Sequence, residues 1–231
     1  MTLFDRLLLL GPLDAIGVAA LFIGWAAIGW WIERPEARHP SVTVLMMGYR
    51  RDWMVQMITR QPRIFDAAIL ATLRQGTSFF ASTCVIAIGG VLALIGNAER
   101  LVGVAAELGE IGLPPVIWQI KLAFIALLLT NAFLRFVWSN RLFGYCAVVM
   151  AAVPNAHDDP RTLPRARKAA ELNIRAAWNF NRGLRAMYFA LASLAWLVGA
   201  VPLVIATLAT LWVLWSREFH SKPREILIGS D

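Results

Sequence analysis

Four long apolar runs mark the chain, and polar, Arg-rich stretches separate them. A bilayer core takes about 20 helical residues to cross. The runs at residues 14–32, 77–96, 116–138 and 187–215 meet that length. Trp30 and Trp31 close the first run as an interfacial belt. The fourth run exceeds the bilayer core, which predicts a tilted helix or one kinked at Pro202.

Helical character continues past the ends of these runs. From Pro62 to Gly96 only scattered glycines interrupt the pattern, and Pro favours a helix start. The third helix meets no stop before Pro154. The fourth can begin near Pro164, with Thr162 as its cap, and run unbroken into its span. Residues 42–60 predict an amphipathic helix whose apolar side covers the others or lies on the membrane. The pattern therefore predicts an all-α integral membrane protein. It is a single domain over residues 1–231, a four-span helical bundle with helices 2–4 extended into the cytoplasm. The helical extensions cover about residues 42–76 and 139–186, and 154–164 is the loose link. The opening MTLFDRLLLLGPLD has a short apolar core broken by Gly11-Pro12, with no small-residue cleavage site after it. It reads as a short interfacial helix.

Composition agrees with the pattern. Hydrophobic residues make up 58% of the 231 and charged residues 16%, against about a quarter charged in soluble domains. Mean hydropathy is +0.60. A net charge of +7 would point a soluble protein towards nucleic acid, but no nucleic-acid motif is present. Here the charge has a simpler use in facing anionic lipid headgroups. Residues 33–76 and 134–186 hold sixteen Lys and Arg. Five others, Arg6, Arg100, Arg217, Lys222 and Arg224, fall in the N-terminus, the acidic segment with Glu99, Glu107 and Glu110, and the tail. That asymmetry predicts a bacterial inner (cytoplasmic) membrane protein with both termini periplasmic and both basic segments in the cytoplasm.

Candidate chemistry is sparse. His39, His157 and His220 lie outside the apolar runs, so no intramembrane His pair is there to hold a haem. Cys84 and Cys146 lack metal-site spacing, are placed too differently for a disulfide, and read as small buried residues. No span carries paired carboxylates, and phosphate-loop, zinc-protease and serine motifs are absent. Asp52, Asp66 and His157 have no spacing that asks for catalysis. No catalytic residue, cofactor or metal is expected.

The polar positions within the apolar helices carry more information. Residues 118–138 read WQIKLAFIALLLTNAFLRFVW. On a helix, Lys121, Asn131 and Arg135 share roughly 80° of arc. Snorkelling of Lys121 and Arg135 to opposite headgroup layers accounts for those two, while Asn131 is too short to snorkel. Arg63, Asp66 and Arg74 form a matching stripe on the second helix, and Asn179, Arg182 and Arg185 on the fourth. The stripes predict either a buried polar seam or oligomer contact, or a lined pathway for an ion, anion favoured, or a small polar solute. Pairs of small residues, Ala20 with Gly24, Gly89 with Ala93 and Ala195 with Gly199, permit close helix approach.

Three stretches carry a family resemblance: YRRDWM with RIFD and FFAST (residues 49–83), NAFLRFVWSNRLFGY (131–145) and NFNRGLRAMYFALASLAW (179–196). They resemble the domain of unknown function 599 family of multi-pass membrane proteins, over about residues 21–219. The resemblance implies a helical membrane fold and brings no substrate, cofactor or catalytic residue. Its motifs fall at the expected cytoplasmic mouths of spans two, three and four. The reading is a self-associating bundle with a polar seam. The alternative is an accessory or assembly subunit of a larger membrane complex, docking through its long helices with Trp53, Trp178 and several Met.

Overall fold

The computed structural model describes residues 10–36, 38–100, 103, 114–156 and 158–229. Residues 1–9 of the expected interfacial helix, Glu107, Glu110 and His157 lie outside them. Among the described residues seven α-helices follow in order: α1 (Pro12–Ile32), α2 (Val42–Gln56), α3 (Ile64–Gly96), α4 (Pro115–Ala151), α5 (Thr162–Leu194), α6 (Ala200–Phe219) and α7 (Lys222–Ile228). Short 3-10 turns sit at Met57–Thr59 and Ala195–Leu197. No strand occurs among the described residues.

Among the described residues, four helical stretches are long and apolar enough to cross a membrane: Pro12–Ile32, Ile64–Gly96, Pro115–Ala151 and Ala200–Ile228. Their large apolar side chains turn outwards, with Ile86 76%, Ile23 69% and Trp212 67% exposed. A water-soluble monomer does not display apolar surface on this scale. Thr77, Lys121, Ser139, Ser193 and Thr207 are buried inside instead, as expected where lipid is the solvent.

The local signals act where the sequence places them. Pro12 opens α1, and Asp14 accepts a hydrogen bond from Gly11 N at 3.1 Å. Ser41 caps α2 by accepting from Val44 N at 3.2 Å, and its hydroxyl donates to Ile32 O at 2.6 Å. Helices α3 and α4, of 33 and 37 residues, run antiparallel and about 50–55 Å long. The α4–α5 pairing is the most extensive in the fold, followed by α3–α4.

The bundle has a basic end, where α1 stops and the α4–α5 connection lies. There α2 runs antiparallel along α5, joined by Asn181 donating to Thr43 at 3.2 Å and Arg51 paired with Glu171 at 3.0 Å. It covers α5 with the buried Met47 and Met54. A separate core around Met54, Met57, Leu70, Phe143, Cys146 and Ala169 holds this end. Leu21, Leu122, Ile125, Phe189 and Leu203 anchor the apolar layer.

The fourth helix departs from expectation. It does not run unbroken from Pro164 to Trp215. α5 ends at Leu194, a 3-10 turn follows, and Gly199 adopts φ 151°, a conformation that L side chains rarely take. The chain then reverses. α6 runs alongside α1 in the same direction, with Leu203 against Gly17, Leu211 against Gly24 and Phe219 stacked near Trp31 at 5.5 Å. Pro202 sits in the first turn of α6, where a missing N–H costs nothing, and kinks no helix. The C-terminal part of α5, up to Trp196, lies antiparallel to α1 in the same layer, with Trp25 near Phe189.

The reversal corrects the expected placement of the ends. Glu218 accepts from Thr43 N at 3.0 Å, and Arg224 Nε donates to Pro40 O at 3.0 Å. The described C-terminal segment therefore lies at the basic end, and the start of α1 lies at the opposite end. The two described ends therefore do not share a side, because the expected fourth helix is two helices, α5 and α6, that run in opposite directions. The Ala195/Gly199 pair belongs to the turn and is not a helix-packing motif.

Candidate functional site: a cationic groove at the basic end

The nine seam positions divide into separate groups with different work. Arg63 stands just before α3 and donates to Val153 O at 2.7 Å and Pro154 O at 2.9 Å. Those carbonyls follow the last turn of α4, where backbone acceptors lose their helical partners. Asp66 is fully buried and accepts from Trp53 Nε1 at 2.7 Å and from Arg60 Nη1. Arg74 is exposed, with Nε donating to Asn140 at 3.3 Å.

Lys121 occupies the other end of the bundle. It is 3% exposed, and its Nζ donates to Trp196 O at 2.8 Å, between the Trp118 and Trp196 rings. Trp196 O belongs to the turn that ends α5, so the ammonium satisfies an orphaned carbonyl. Trp196 Nε1 donates to Asp14 at 2.6 Å. One turn is thus tied to both α1 and α4. Between Lys121 and Asn131, α4 buries Leu122, Ile125, Leu128 and Leu129 against Phe189.

The third group comes together. Arg182 and Arg185 on α5 reach Glu33, the residue that ends α1. Arg182 Nε donates to the two carboxylate oxygens at 2.8 and 3.1 Å, and Nη2 also donates. Arg185 Nη2 donates to Oε1, and Arg185 itself is 4% exposed. Burial acts to raise the Glu33 pKa; hydrogen bonds and charge from Arg182 and Arg185 outweigh it and hold the carboxyl below its usual value. Glu33 was absent from the sequence-based site because it reads as a loop residue after the Trp30-Trp31 belt. The signal available was its position as the first acid beyond the first span, opposite two intramembrane-edge arginines.

Arg135 and Asn131 project from α4 into the same space. Arg135 Nη1 reaches Asn179 Oδ1 at 3.5 Å, and Asn179 Nδ2 donates to Arg175 O at 2.9 Å. No carboxylate pairs with Arg135 among the described residues. Together with Phe22, Trp25 and Trp30, these groups line a groove of about 330 Å³. Three guanidinium groups face it against one carboxylate. Such a site favours a small anion, which Arg135 can contact as a charge-assisted donor and Asn131 as a neutral one. Close approach of α4 and α5 sets the spacing: a Cβ on Gly183 would meet the Phe136 ring at 2.8 Å. Phe136 is fully buried and stacked on Phe80.

The cysteines are free and buried, with Cys146 Sγ donating to Ala169 O at 3.3 Å. Among the described residues, no group of three His, Cys, Asp or Glu is placed to hold a metal. No curated protein and no solved structure matches the chain. A sequence family described as "Protein of unknown function, DUF599" matches residues 16–223. The match covers all the helices that build the groove, and the chain belongs to that family of uncharacterised proteins.

Proposed function

We propose that this protein resides in the inner membrane of a bacterium, with the basic end in the cytoplasm, and that its groove receives a small anion there. The observation that carries the reading is the imbalance of charge. Arg182 and Arg185 share Glu33, while among the described residues Arg135 has only the Asn179 amide at 3.5 Å. Orientation gains support from the α5–α6 reversal. Moving Arg217, Lys222 and Arg224 to the basic end leaves nineteen Lys and Arg there, against Arg100 and Lys121 at the other end among the described residues.

Passage of the anion through the chain is the further step. The packed Leu122, Ile125, Leu128 and Leu129 close the way between the groove and Lys121 in this arrangement, so conduction requires α4 and α5 to part. The experiment is anion binding to the detergent-purified protein by calorimetry, paired with anion flux in proteoliposomes. Arg135→Gln is expected to weaken binding of inorganic phosphate or chloride about tenfold, the loss of one charged contact. Equal affinity in wild type and Arg135→Gln would overturn the reading. Flux without change in the variant would separate any conduction from this groove.

A second reading is that of an accessory subunit in a larger membrane complex. Val55, Ile64, Phe65 and Val148 are exposed on the helical extensions at the basic end, beyond the expected spans. Self-association has its own surface, the exposed Gly89, Gly90 and Ala93 on α3. Size-exclusion with light scattering after gentle extraction distinguishes a foreign subunit, a homo-oligomer and a monomer.

A further inference from the structure

Beside the anion groove, and independent of it, two cavities meet where α1 and α6 reach the basic end. The upper one, of about 850 Å³, lies between the segment after α1 and the α6–α7 corner. The lower one, of about 470 Å³, descends between α1 and α6 past Gly24, Ala27, Ile28, Leu211 and Trp212, and every side chain lining it is apolar. Trp31 and Trp215 line both. The result is a chamber with aromatic walls and charged groups, continuous with an apolar groove on the outer side of a helix pair. Gly24 makes the groove's floor possible, since a Cβ there would meet Leu211 at 2.9 Å.

The chamber presents both signs of charge. Arg34, Arg38 and Arg224 line it together with Glu36 and Glu225. Among the described residues, none of these five takes part in an ion pair. Arg224 is anchored by Nε on Pro40 O at 3.0 Å, and Arg34 lies over the Trp30 ring at 5.1 Å. A headgroup carrying only negative charge would meet two uncompensated carboxylates. One carrying only positive charge would meet three guanidinium groups. A headgroup with a phosphate and an ammonium answers both, with indole faces as additional partners for the cation. The adjoining groove, lined only by apolar side chains, suits an acyl chain.

We propose that α1, α6 and α7 form a binding site for one phospholipid of the phosphoethanolamine class, with its headgroup in the chamber and an acyl chain along the groove. The arginines take the phosphate, and Glu36, Glu225 and the indoles take the amine. Such a lipid fastens the start of α7 to α1.

The test uses full-length protein, delipidated in a mild detergent and followed by native mass spectrometry and thermal unfolding. Phosphatidylethanolamine, phosphatidylglycerol and water-soluble glycerophosphoethanolamine are added separately. One retained phosphatidylethanolamine per chain is expected, with a rise in Tm that phosphatidylglycerol gives more weakly and the soluble headgroup does not give. Glu36→Gln with Glu225→Gln is expected to erase the preference for phosphatidylethanolamine over phosphatidylglycerol. Ala27→Leu fills the groove from an exposed position, so the fold stands, and is expected to weaken phospholipid binding roughly tenfold. Equal stabilisation by both lipids in wild type, an unchanged preference in the double variant, unaltered affinity in Ala27→Leu or equal effect of the soluble headgroup would each overturn the assignment.

Discussion

Glu33 is the residue on which the groove depends. Its carboxylate holds two guanidinium groups, one of them nearly buried. Removing it takes away the carboxylate that Arg185 is hydrogen-bonded to and leaves only the more distant charge of Glu218, and breaking a buried pair in this way costs up to about 3–5 kcal/mol. Glu33→Ala is therefore expected to lower the midpoint of thermal unfolding in detergent more than Arg182→Ala, whose side chain is 40% exposed. The pH dependence has a definite sign. A carboxyl held below 4.5 in the folded state stabilises fully above that value, and the contribution fades as pH falls through its folded pKa. The stability difference between wild type and Glu33→Gln should shrink below about pH 4.5. A gap that is constant down to pH 3 would show that the charge of Glu33 carries no weight. Gly183 tests packing at the same scale. Alanine gains about 1 kcal/mol of helix propensity, but its Cβ strikes an immobile Phe136 ring, at about 1–3 kcal/mol. Steric conflict wins, and Gly183→Ala should unfold at lower temperature.

At the scale of the element, the apolar runs and their start signals located α1, α2, α3 and α4 closely. α3 begins two residues past Pro62, and α4 extends from Pro115 to Ala151, short of Pro154. Helical periodicity also grouped Asn131 with Arg135 and Arg182 with Arg185; these four of the nine expected seam residues line one groove, and Asn179 contacts it through Arg135. Glu33 had no periodic signal. The break between α5 and α6 was hidden for a physical reason: residues 187–215 are apolar throughout, and hydropathy has no direction. Only Gly199, with Pro202 three residues on, marked a stop and a start. The left-handed backbone of Gly199 leads to a firm expectation. Gly199→Ala should destabilise by about 2 kcal/mol in unfolding measurements, while Pro202→Ala, within the first turn of α6, should change stability by less than about 0.5 kcal/mol.

For the whole molecule, the reversal sets the topology. α7 and the α4–α5 connection lie at one end, and the α3 C-terminus at the other. Cysteine labelling checks this directly, and the buried Cys84 and Cys146 keep the background low. In right-side-out vesicles an impermeant maleimide should label Glu99→Cys and spare both Asn155→Cys and Lys222→Cys; inverted vesicles should give the opposite pattern. Lys222→Cys reacting together with Glu99→Cys would refute the reversal.

The shape of α5 also governs how the chain enters its membrane during synthesis. Beyond Arg185 it offers about nine mostly apolar residues up to Leu194, or roughly 14 Å of helix, too little to partition alone across a hydrocarbon core of about 30 Å. The apolar α6 follows after a tight corner at Gly199. A nascent chain that has emerged only as far as Leu197 therefore holds α5 at the surface. Insertion is expected to await translation of α6, with the two helices entering as one hairpin.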